Sequence, residues 1–529
     1  MLLKSVIFIS GGAILALELL ASRIMTPYFG VSLYIWTGIL SITLAALALG
    51  YWAGGKLAEA SPARLAELFA LMPAVSGLAI VAACLAYPFL FASLANWSLV
   101  FGSFAACIAL LFVPLVAASA MNPLLVAMLL SDAKSKAADA GAGNVFFVST
   151  LGSVAGVLVT AFGLIPHVSN YAATLIVAMV LSALTLALAA FPPPALKRKN
   201  ALVITGVAGI AAAALLCWQA DAYTGRLGPV SYAGKTWRVE TTERSLFGTV
   251  KILKHDPEPG SSDFWRIYFQ DGLTQNSVES SGHSRSFYTY ALEALARAYR
   301  PEMKNALVLG LGAGMVPKGL TARGVNVEVV EIDPSSVRIA SRIFGLDTQK
   351  IKIHETDART FLRTCAKRYD VVVVDLFHGD GTPDYLVTRE FFRDLKHCLA
   401  AGGVAVFNTF ADLDRPSSYA HLLVTLRGEL PHLALYRPAI FSAHVNSFIV
   451  AGTRPLPAAA KVIMDYVPPQ HETTLWDMLA KPTELTAKLF EGGKLISDAW
   501  NPAAFELAAS QMIYRQSVVE GMPAAFLLN

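Results

Sequence analysis

The stretch Asn305–Leu320, NALVLGLGAGMVPKGL, predicts a short apolar strand, a glycine turn and the start of a helix. Gly310, Gly312 and Gly314 let the backbone turn sharply and approach a ligand closely. A dinucleotide-binding fingerprint would need another glycine at the next position, where this chain has Met315. The turn therefore weighs against NAD and favours an adenosyl-sulfonium ligand.

Apolar runs alternate with helical stretches from residue 304 to residue 410. Four of these runs are ALVLGL, VNVEVVEID, YDVVVVDLF and GGVAVFNTF. Nearly continuous Val, Ile and Leu between helices is typical of a parallel sheet that is buried on both faces. Ligands of such sheets bind at the carboxyl ends of the strands.

Three carboxylates lie at or near these predicted ends. Glu331 follows Gly310 by about 20 residues, a spacing at which an acidic side chain accepts hydrogen bonds from ribose hydroxyls. Asp357 is placed to meet an adenine amino group. Asp375 ends YDVVVVD, where a carboxylate can act as a general base. Two of them have structural alternatives, since Asp357 can cap a helix and Glu331 can be a solvated strand end.

The N-terminal part of the chain has the composition of a membrane protein. Of the 529 residues 55% are hydrophobic and 15% charged, against roughly 25% charged in soluble domains. Runs of about 20 apolar residues suffice to cross a hydrocarbon core. Seven such spans are predicted: 5–25, 33–55, 66–90, 98–120, 143–165, 168–191 and 201–219.

Basic loop residues predict the orientation of these spans. With seven crossings they fall on one side, which should be cytoplasmic: Lys4, Lys56, Arg64, Lys134, Lys136, Lys197, Arg198 and Lys199. Residues 220–529 would then lie outside, whereas an adenosyl ligand is made in the cytosol. Either the run 201–219 does not cross, or the catalytic part is extracytoplasmic. Both alternatives stay open.

Other classes of site find little support in the composition. The five cysteines form no CxxC pair and the ten histidines show no metal-ligand spacing, so we predict neither a disulfide framework nor a metal site. A net charge of +4 fits the cytoplasmic loops of a membrane protein better than a nucleic-acid surface.

The residues after 220 change in character. Short alternating runs such as GTVKIL and FWRIYFQDG predict strands and hairpins, and SFYTYALEALARAYR predicts a helix. We therefore divide the chain into a transmembrane domain (1–220), a β-rich segment with a linking helix (221–300), a Rossmann-like adenosyl-binding domain (301–455) and a C-terminal extension with a closing loop (456–529).

Several motifs together resemble a known family. They are QDGLTQ (270–275), LVLGLGAG (307–314), VVEID (329–333), TDARTFL (356–362) and the run 369–392. Residues 240–455 resemble the polyamine aminopropyltransferases, the spermidine synthase family. LISDAWNP (495–502) is similar to that family's closing loop, and 11–30 with 46–62 are similar to its membrane-fused branch. The resemblance implies a polytopic α-helical membrane domain and a Rossmann-type, methyltransferase-like α/β domain with a small N-terminal β segment.

The resemblance implies roles for the residues that match. Glu331 is implied to bind ribose, Asp357 and Ala358 the adenine region, and Pro383 the adenine edge. Asp375 is implied to be the base that deprotonates an attacking amine, which displaces methylthioadenosine from an S-adenosyl group. This chemistry calls for no metal and no cofactor beyond the adenosyl-sulfonium substrate.

The amine-recognising residues of that family are changed here. The aspartate of its glycine turn is Ala313, and an upstream glutamine is Gly248. Burying an ammonium group without a carboxylate partner is costly. The remaining candidates for binding the amine or the ligand's tail are Asp271, Gln275, His283, Tyr288, His378 and Asp380.

Three functions fit these observations. The first is transfer of the 3-aminopropyl group of decarboxylated S-adenosylmethionine to a diamine such as putrescine. The second is chemistry on intact S-adenosylmethionine, either methyl transfer or a lyase reaction giving methylthioadenosine and homoserine lactone. The third is a membrane sensor or transporter for an adenosyl metabolite, since the membrane part is larger than an anchor requires.

The expected surroundings follow from the same observations. We expect a multi-pass protein of the cell (inner) membrane that contacts the lipid bilayer and small-molecule substrates but no nucleic acid. The resemblance also implies a homodimer.

Overall fold

The structure is a computed structural model that describes residues 2–132, 138–193, 196, 199–220, 228–257, 261–377, 382–412, 416–438, 444–502, 505–506 and 514–529. Two compact units are present. The first comprises Met1–Gly234 and Gln516–Asn529, and the second comprises Lys235–Arg515. Lys134, Lys136, Lys197 and Arg198, which enter the orientation argument, lie outside the described residues.

The first unit contains seven helices that are long and apolar enough to cross a membrane, as the sequence predicted. They are Leu2–Phe29, Leu33–Leu57, Pro62–Ala95, Val100–Leu130, Gly141–Leu164, Asn170–Ala190 and Lys199–Trp218. The fourth and fifth include π-helical turns at Ile108–Phe112 and Val159–Leu164. The unit also contains strand β1 (Val230–Tyr232) and the short helix Ala524–Leu527.

Glycines bring the first and fifth of these helices into backbone contact. Gly152 and Gly156 form a GxxxG pattern on the fifth helix. A Cβ atom on Gly152 would overlap the carbonyl oxygen of Phe8, and one on Gly156 would overlap that of Gly12. Packing of this kind drives association of apolar helices, because lipid offers no hydrophobic force between them.

The side chain of Thr185 hydrogen-bonds to backbone groups of the third helix close to Pro73. Thr185 Oγ1 donates to the carbonyl oxygen of Ala70 at 2.8 Å and accepts from the Ala74 N–H at 3.0 Å. The threonine thus satisfies backbone groups that would otherwise lack partners in an apolar medium.

The second unit begins with antiparallel strands, as the alternating runs predicted. These are β2 (Lys235–Ser245), β3 (Gly248–His255), β4 (Trp265–Gln270) and β5 (Leu273–Glu279). The linking helix Phe287–Tyr299 follows.

A seven-stranded sheet forms the rest of this unit. Its strands are β6 (Asn305–Leu309), β7 (Asn326–Glu331), β8 (Lys352–Glu355), β9 (Tyr369–Val374), β10 (Leu399–Asp412), β11 (His432–Tyr436) and β12 (His444–Gly452). Their order is β11-β12-β10-β9-β6-β7-β8. Strands β6 to β10 are parallel, as expected, and β12 pairs antiparallel with both β10 and β11, so the sheet is mixed.

Helices cover both faces of this sheet, which explains the continuous valine run of β9. Val371 and Val373 belong to one apolar core, while Val372 and Val374 belong to the other. The surrounding helices are Met315–Ala322, Pro334–Arg342, Ala358–Arg363, Arg389–Cys398, Pro416–Glu429 and Pro469–Ala480, with 3₁₀ turns at Asp384–Leu386 and Ala487–Phe490. The predicted fold class is confirmed.

One cysteine pair departs from the sequence-based expectation. Cys365 and Cys398 form a disulfide, with Cα atoms 5.9 Å apart. Cys398 ends the helix Arg389–Cys398, and Cys365 follows the helix Ala358–Arg363. Their proximity comes from the packing of these two helices, which the spacing of cysteines along the chain does not reveal.

Candidate active site

A cavity of about 470 Å³ opens at the carboxyl ends of the parallel strands, within the size range of small-molecule sites. Strands β6 and β9 are neighbours although β7 and β8 separate them in sequence, so this is the switch point at which open α/β sheets bind ligands. The predicted residues that line the cavity are Gln275, Tyr288, Gly310, Gly312, Glu331, Asp357, Ala358, Asp375 and Pro383.

The glycine turn after β6 depends on two properties of glycine. Gly310, Gly312 and Gly314 have φ angles of +92°, +51° and +76°, a region that other residues rarely adopt. A Cβ atom on Gly310 would also overlap the carbonyl oxygen of Asp375. Gly314 is the N-cap of the helix Met315–Ala322 and does not line the cavity. The turn therefore joins the tips of β6 and β9 closely.

Glu331 supplies a carboxylate next to this turn. Its Oε2 accepts from the Leu311 N–H at 2.9 Å, and its Oε1 accepts from the Asp333 N–H at 2.8 Å. Burial raises the pKa of Glu331 to about 7, although these backbone donors act in the opposite direction. The side chain is thus held by the backbone with its oxygens at the cavity, where ribose hydroxyls could donate to them.

Asp357 caps a helix and also lines the cavity, so both of the roles considered from the sequence are compatible with its position. Its Oδ1 accepts from the Thr360 N–H at 2.8 Å and so caps the helix Ala358–Arg363. Its Oδ2 accepts from the Tyr385 hydroxyl at 3.0 Å. Ala358, Pro383 and Tyr385 line the same cavity, which gives this end an apolar slot edged by a carboxylate.

Asp375 follows β9 directly, on the other side of β6 from Glu331 and Asp357 in the strand order. Its Oδ1 accepts a hydrogen bond of 2.8 Å from Asn408 Nδ2. Burial raises the pKa of Asp375 to about 6, while the Asn408 hydrogen bond acts to lower it. A carboxylate with this pKa is suited to accept a proton near neutral pH.

Tyr288 and Gln275 lie beside Asp375. The Tyr288 hydroxyl donates to the Gln275 carbonyl oxygen at 3.1 Å and accepts from Asn276 Nδ2 at 3.1 Å. Burial, and then the negative charge of Asp375, raise the pKa of Tyr288 well above its ordinary value. The phenol is therefore neutral and fixed in orientation.

Two predicted tail-binding residues are not brought into the cavity. Asp271 is buried in the turn between β4 and β5, with φ +46°, and its Oδ1 accepts from the Thr249 N–H at 3.0 Å. His283 stacks on Tyr466 with ring centroids 3.9 Å apart. Neither lines the cavity. His378 and Asp380 lie outside the described residues.

The segment 495–502 contacts the helix Ala358–Arg363 and the turn Asp384–Leu386, which contribute Ala358 and Tyr385 to the cavity wall. Asp498 pairs with Arg359. Asn501 Nδ2 donates to the Asp384 carbonyl oxygen at 2.7 Å, and the Ile496 carbonyl oxygen accepts from the Arg389 N–H at 2.9 Å.

Sequence reasoning missed several residues that line the cavity, namely Phe247, Tyr268, Tyr385, Asn408, Asn446 and Tyr514. Asn408 had a detectable signal, since it is a polar residue near the carboxyl end of the apolar run GGVAVFNTF. Asn446 had none, because it lies on the antiparallel strand β12.

Parts of this chain are similar to known proteins. Residues 285–420 match the spermine/spermidine synthase domain. A polyamine aminopropyltransferase of Vibrio vulnificus is 34% identical over 180 residues, which are 32% of this chain and 58% of that protein. Residues 285–420 are therefore similar to the spermine/spermidine synthase domain.

Two other known proteins are similar to parts of this chain. An N-terminal histidine N-methyltransferase of Emericella nidulans is 36% identical over 140 residues, 26% of this chain and 25% of that protein. The chain thus spans less than two thirds of the aminopropyltransferase and of the methyltransferase that it matches. The crystal structure of a spermidine synthase from Thermotoga maritima has a TM-score of 0.37 and 19% identity, and covers 46% of this chain and 85% of that one.

Proposed function

We propose that the cavity binds decarboxylated S-adenosylmethionine and transfers its 3-aminopropyl group to a diamine such as putrescine. The observation that carries the proposal is the position of Asp375. Its carboxyl, with a pKa of about 6, follows β9, and its backbone lies against the glycine turn of β6. Glu331 and Asp357 line the same cavity. In this proposal Glu331 binds the ribose and Asp357 binds the adenine.

The reaction is a displacement at carbon. The acceptor nitrogen attacks the aminopropyl carbon bonded to sulfur, and the C–S bond breaks with its electron pair moving to sulfur. The products are neutral methylthioadenosine and the alkylated amine. Asp375 takes the proton that the attacking nitrogen loses, while the cavity holds the two reactants in line.

A second candidate is a lyase reaction on intact S-adenosylmethionine. It is favoured by the catalytic end of the cavity, where Gln275, Asn408 and Asn446 contribute amides. Ala313, which stands where the resembled family has an aspartate, is buried away from the cavity. In this reaction the substrate's own carboxylate displaces methylthioadenosine and closes homoserine lactone, so no amine pocket is needed. Methyl transfer to an amine is the other reaction of the intact substrate.

The deciding experiment uses the full-length protein purified in detergent. It is incubated with S-adenosylmethionine or its decarboxylated form, each with and without putrescine, and products are identified by mass spectrometry. Spermidine and methylthioadenosine from the decarboxylated form with putrescine support the proposal. Methylthioadenosine from the intact form without an amine supports the lyase.

Controls separate catalysis from binding. The Asp375→Asn variant should lose turnover and still bind methylthioadenosine. Asp347→Asn, a matched change at an exposed residue remote from the cavity, should behave like the wild type. No product in any arm, together with tight binding of an adenosyl ligand, would instead favour the sensor or transporter hypothesis.

A further inference from the structure

A chain of two amides ends on the carboxylate of Asp375. Asn408 Nδ2 donates to Asp375 Oδ1 at 2.8 Å, and Asn446 Nδ2 donates to Asn408 Oδ1 at 2.8 Å. The second bond fixes which end of the Asn408 amide faces Asp375, because its oxygen is already engaged. All three side chains line the cavity.

The sheet holds both amides in register. Asn408 on β10 pairs with Phe448 on β12, and Phe410 pairs with Asn446, so the two asparagines are diagonal neighbours across an antiparallel pair. Asn408 is only 5% exposed. Both asparagines therefore belong to central strands of the sheet. Asn408, which is buried, has little freedom to move away from Asp375.

Within the part of the chain that the structure describes, the amide chain occupies one of the two carboxylate oxygens of Asp375. Among the described residues, the donor to the Asp375 carboxylate is Asn408, on Oδ1. Tyr288, the titratable group facing Asp375 from the linking helix, donates its proton to the Gln275 carbonyl oxygen instead. Oδ2 is thus the atom that can take a proton from a bound reactant.

We propose that Asn408 and Asn446 are positioning residues that anchor Oδ1 of Asp375 and aim Oδ2 at the nucleophile. This inference rests on the proposed role of Asp375 as the base. It assigns a function to two uncharged residues of the cavity wall.

Neutral donors suit a base better than cationic ones would. An arginine or lysine at hydrogen-bond distance would lower the pKa of the carboxyl by about 1–3 units and make it a weak base. An amide orients the carboxylate with a smaller effect on its proton affinity. Asn408 and Asn446 can thus orient the Asp375 carboxylate without neutralising its charge.

The test changes the donor while keeping the shape of the side chain. In Asn408→Asp the amide becomes a carboxylate next to Asp375, and two like charges cannot both ionise easily. The acid limb of the kcat/KM profile should move to higher pH by about one pH unit or more. Asn446→Asp should move it less, because that residue acts through Asn408.

A matched control comes from the other end of β6. Asn326 Nδ2 donates to Asn305 Oδ1 at 3.0 Å, an exposed amide pair at the amino end of the sheet. Asn326→Asp should leave the acid limb where it is in the wild type. A shifted limb in a folded Asn408→Asp variant would show that position 408 contacts the titrating carboxyl of Asp375. A folded Asn408→Ala variant should in addition lose kcat at unchanged methylthioadenosine affinity, and wild-type kcat in that variant would overturn the positioning role.

A binding measurement keeps the test independent of turnover. Titration calorimetry from pH 5 to 8 compares cationic S-adenosylmethionine with neutral methylthioadenosine, and their affinity ratio rises as Asp375 ionises. In Asn408→Asp the midpoint of this rise should move to higher pH. An unmoved midpoint overturns the positioning role, whereas a wild type that makes no spermidine overturns only the proposed function.

Discussion

The two ends of the cavity are built from different chemistry. At the proposed adenosyl end, Glu331 and Asp357 are each held by backbone N–H groups and present carboxylate oxygens. At the proposed catalytic end, one carboxylate, Asp375, is held by the Asn408 amide. The first end has acceptors for the hydroxyl and amino groups that every adenosyl ligand carries. The second end can therefore change its reaction while the first still binds the same nucleoside.

The largest expected effect is a loss of turnover, caused by a substitution at the catalytic end alone. Asp375→Asn keeps the hydrogen bond from Asn408 but cannot take a proton, so turnover should fall about 10²–10⁴-fold. Affinity for methylthioadenosine should change little, because that ligand contacts the adenosyl end. Steady-state kinetics and calorimetry check both. A variant that kept wild-type turnover would exclude Asp375 as the base.

The same substitution should raise stability. Burial raises the pKa of Asp375 from its ordinary 3.8 to about 6. The group's contribution to stability is therefore fully present below about pH 4 and lost as pH rises through about 6. Asp375→Asn should recover on the order of 3 kcal/mol at pH 8. Thermal unfolding at pH 5 and pH 8 measures this, and Asp347→Asn should show no such gain.

A smaller effect is expected from Glu331→Gln at the adenosyl end. It replaces a charged acceptor that ribose hydroxyls would use, so methylthioadenosine affinity should fall about 10- to 100-fold. Because the pKa of Glu331 is about 7, wild-type affinity should also weaken as pH falls through that value. Calorimetry over pH 5.5–8 tests both, with Glu355→Gln at the exposed end of β8 as the control. Equal affinity at all these pH values would contradict the ribose role.

The smallest expected effect concerns Tyr385→Phe. This change removes the hydroxyl that donates to Asp357 Oδ2 and should weaken adenosyl binding by about 1 kcal/mol, roughly fivefold. Turnover at saturating substrate should be unaffected. Tyr466→Phe is a matched control, since its hydroxyl faces Glu279 away from the cavity. A change in turnover without a change in affinity would place Tyr385 at the catalytic end instead.

The adenosyl end was accessible to sequence reasoning because its residues follow strands in chain order. Glu331 ends β7 and Asp357 follows β8, and parallel strands bring such ends together. The catalytic end was less accessible. Asp271 matched a family motif, but the turn places its carboxylate on the Thr249 N–H. Asn446 reaches the cavity only through the antiparallel pairing of β12, which no local pattern indicates.

In the first unit the seven apolar helices found among the described residues were predicted, since length and apolarity determine them. Their contacts were not predicted, because small residues such as Gly152 resemble ordinary members of an apolar run. The contacts constrain transport. At Gly156 the fifth helix lies so close to Gly12 of the first that there is no room for a methyl group. If this unit conducts a solute, the permeation route must avoid that seam and pass between other helices.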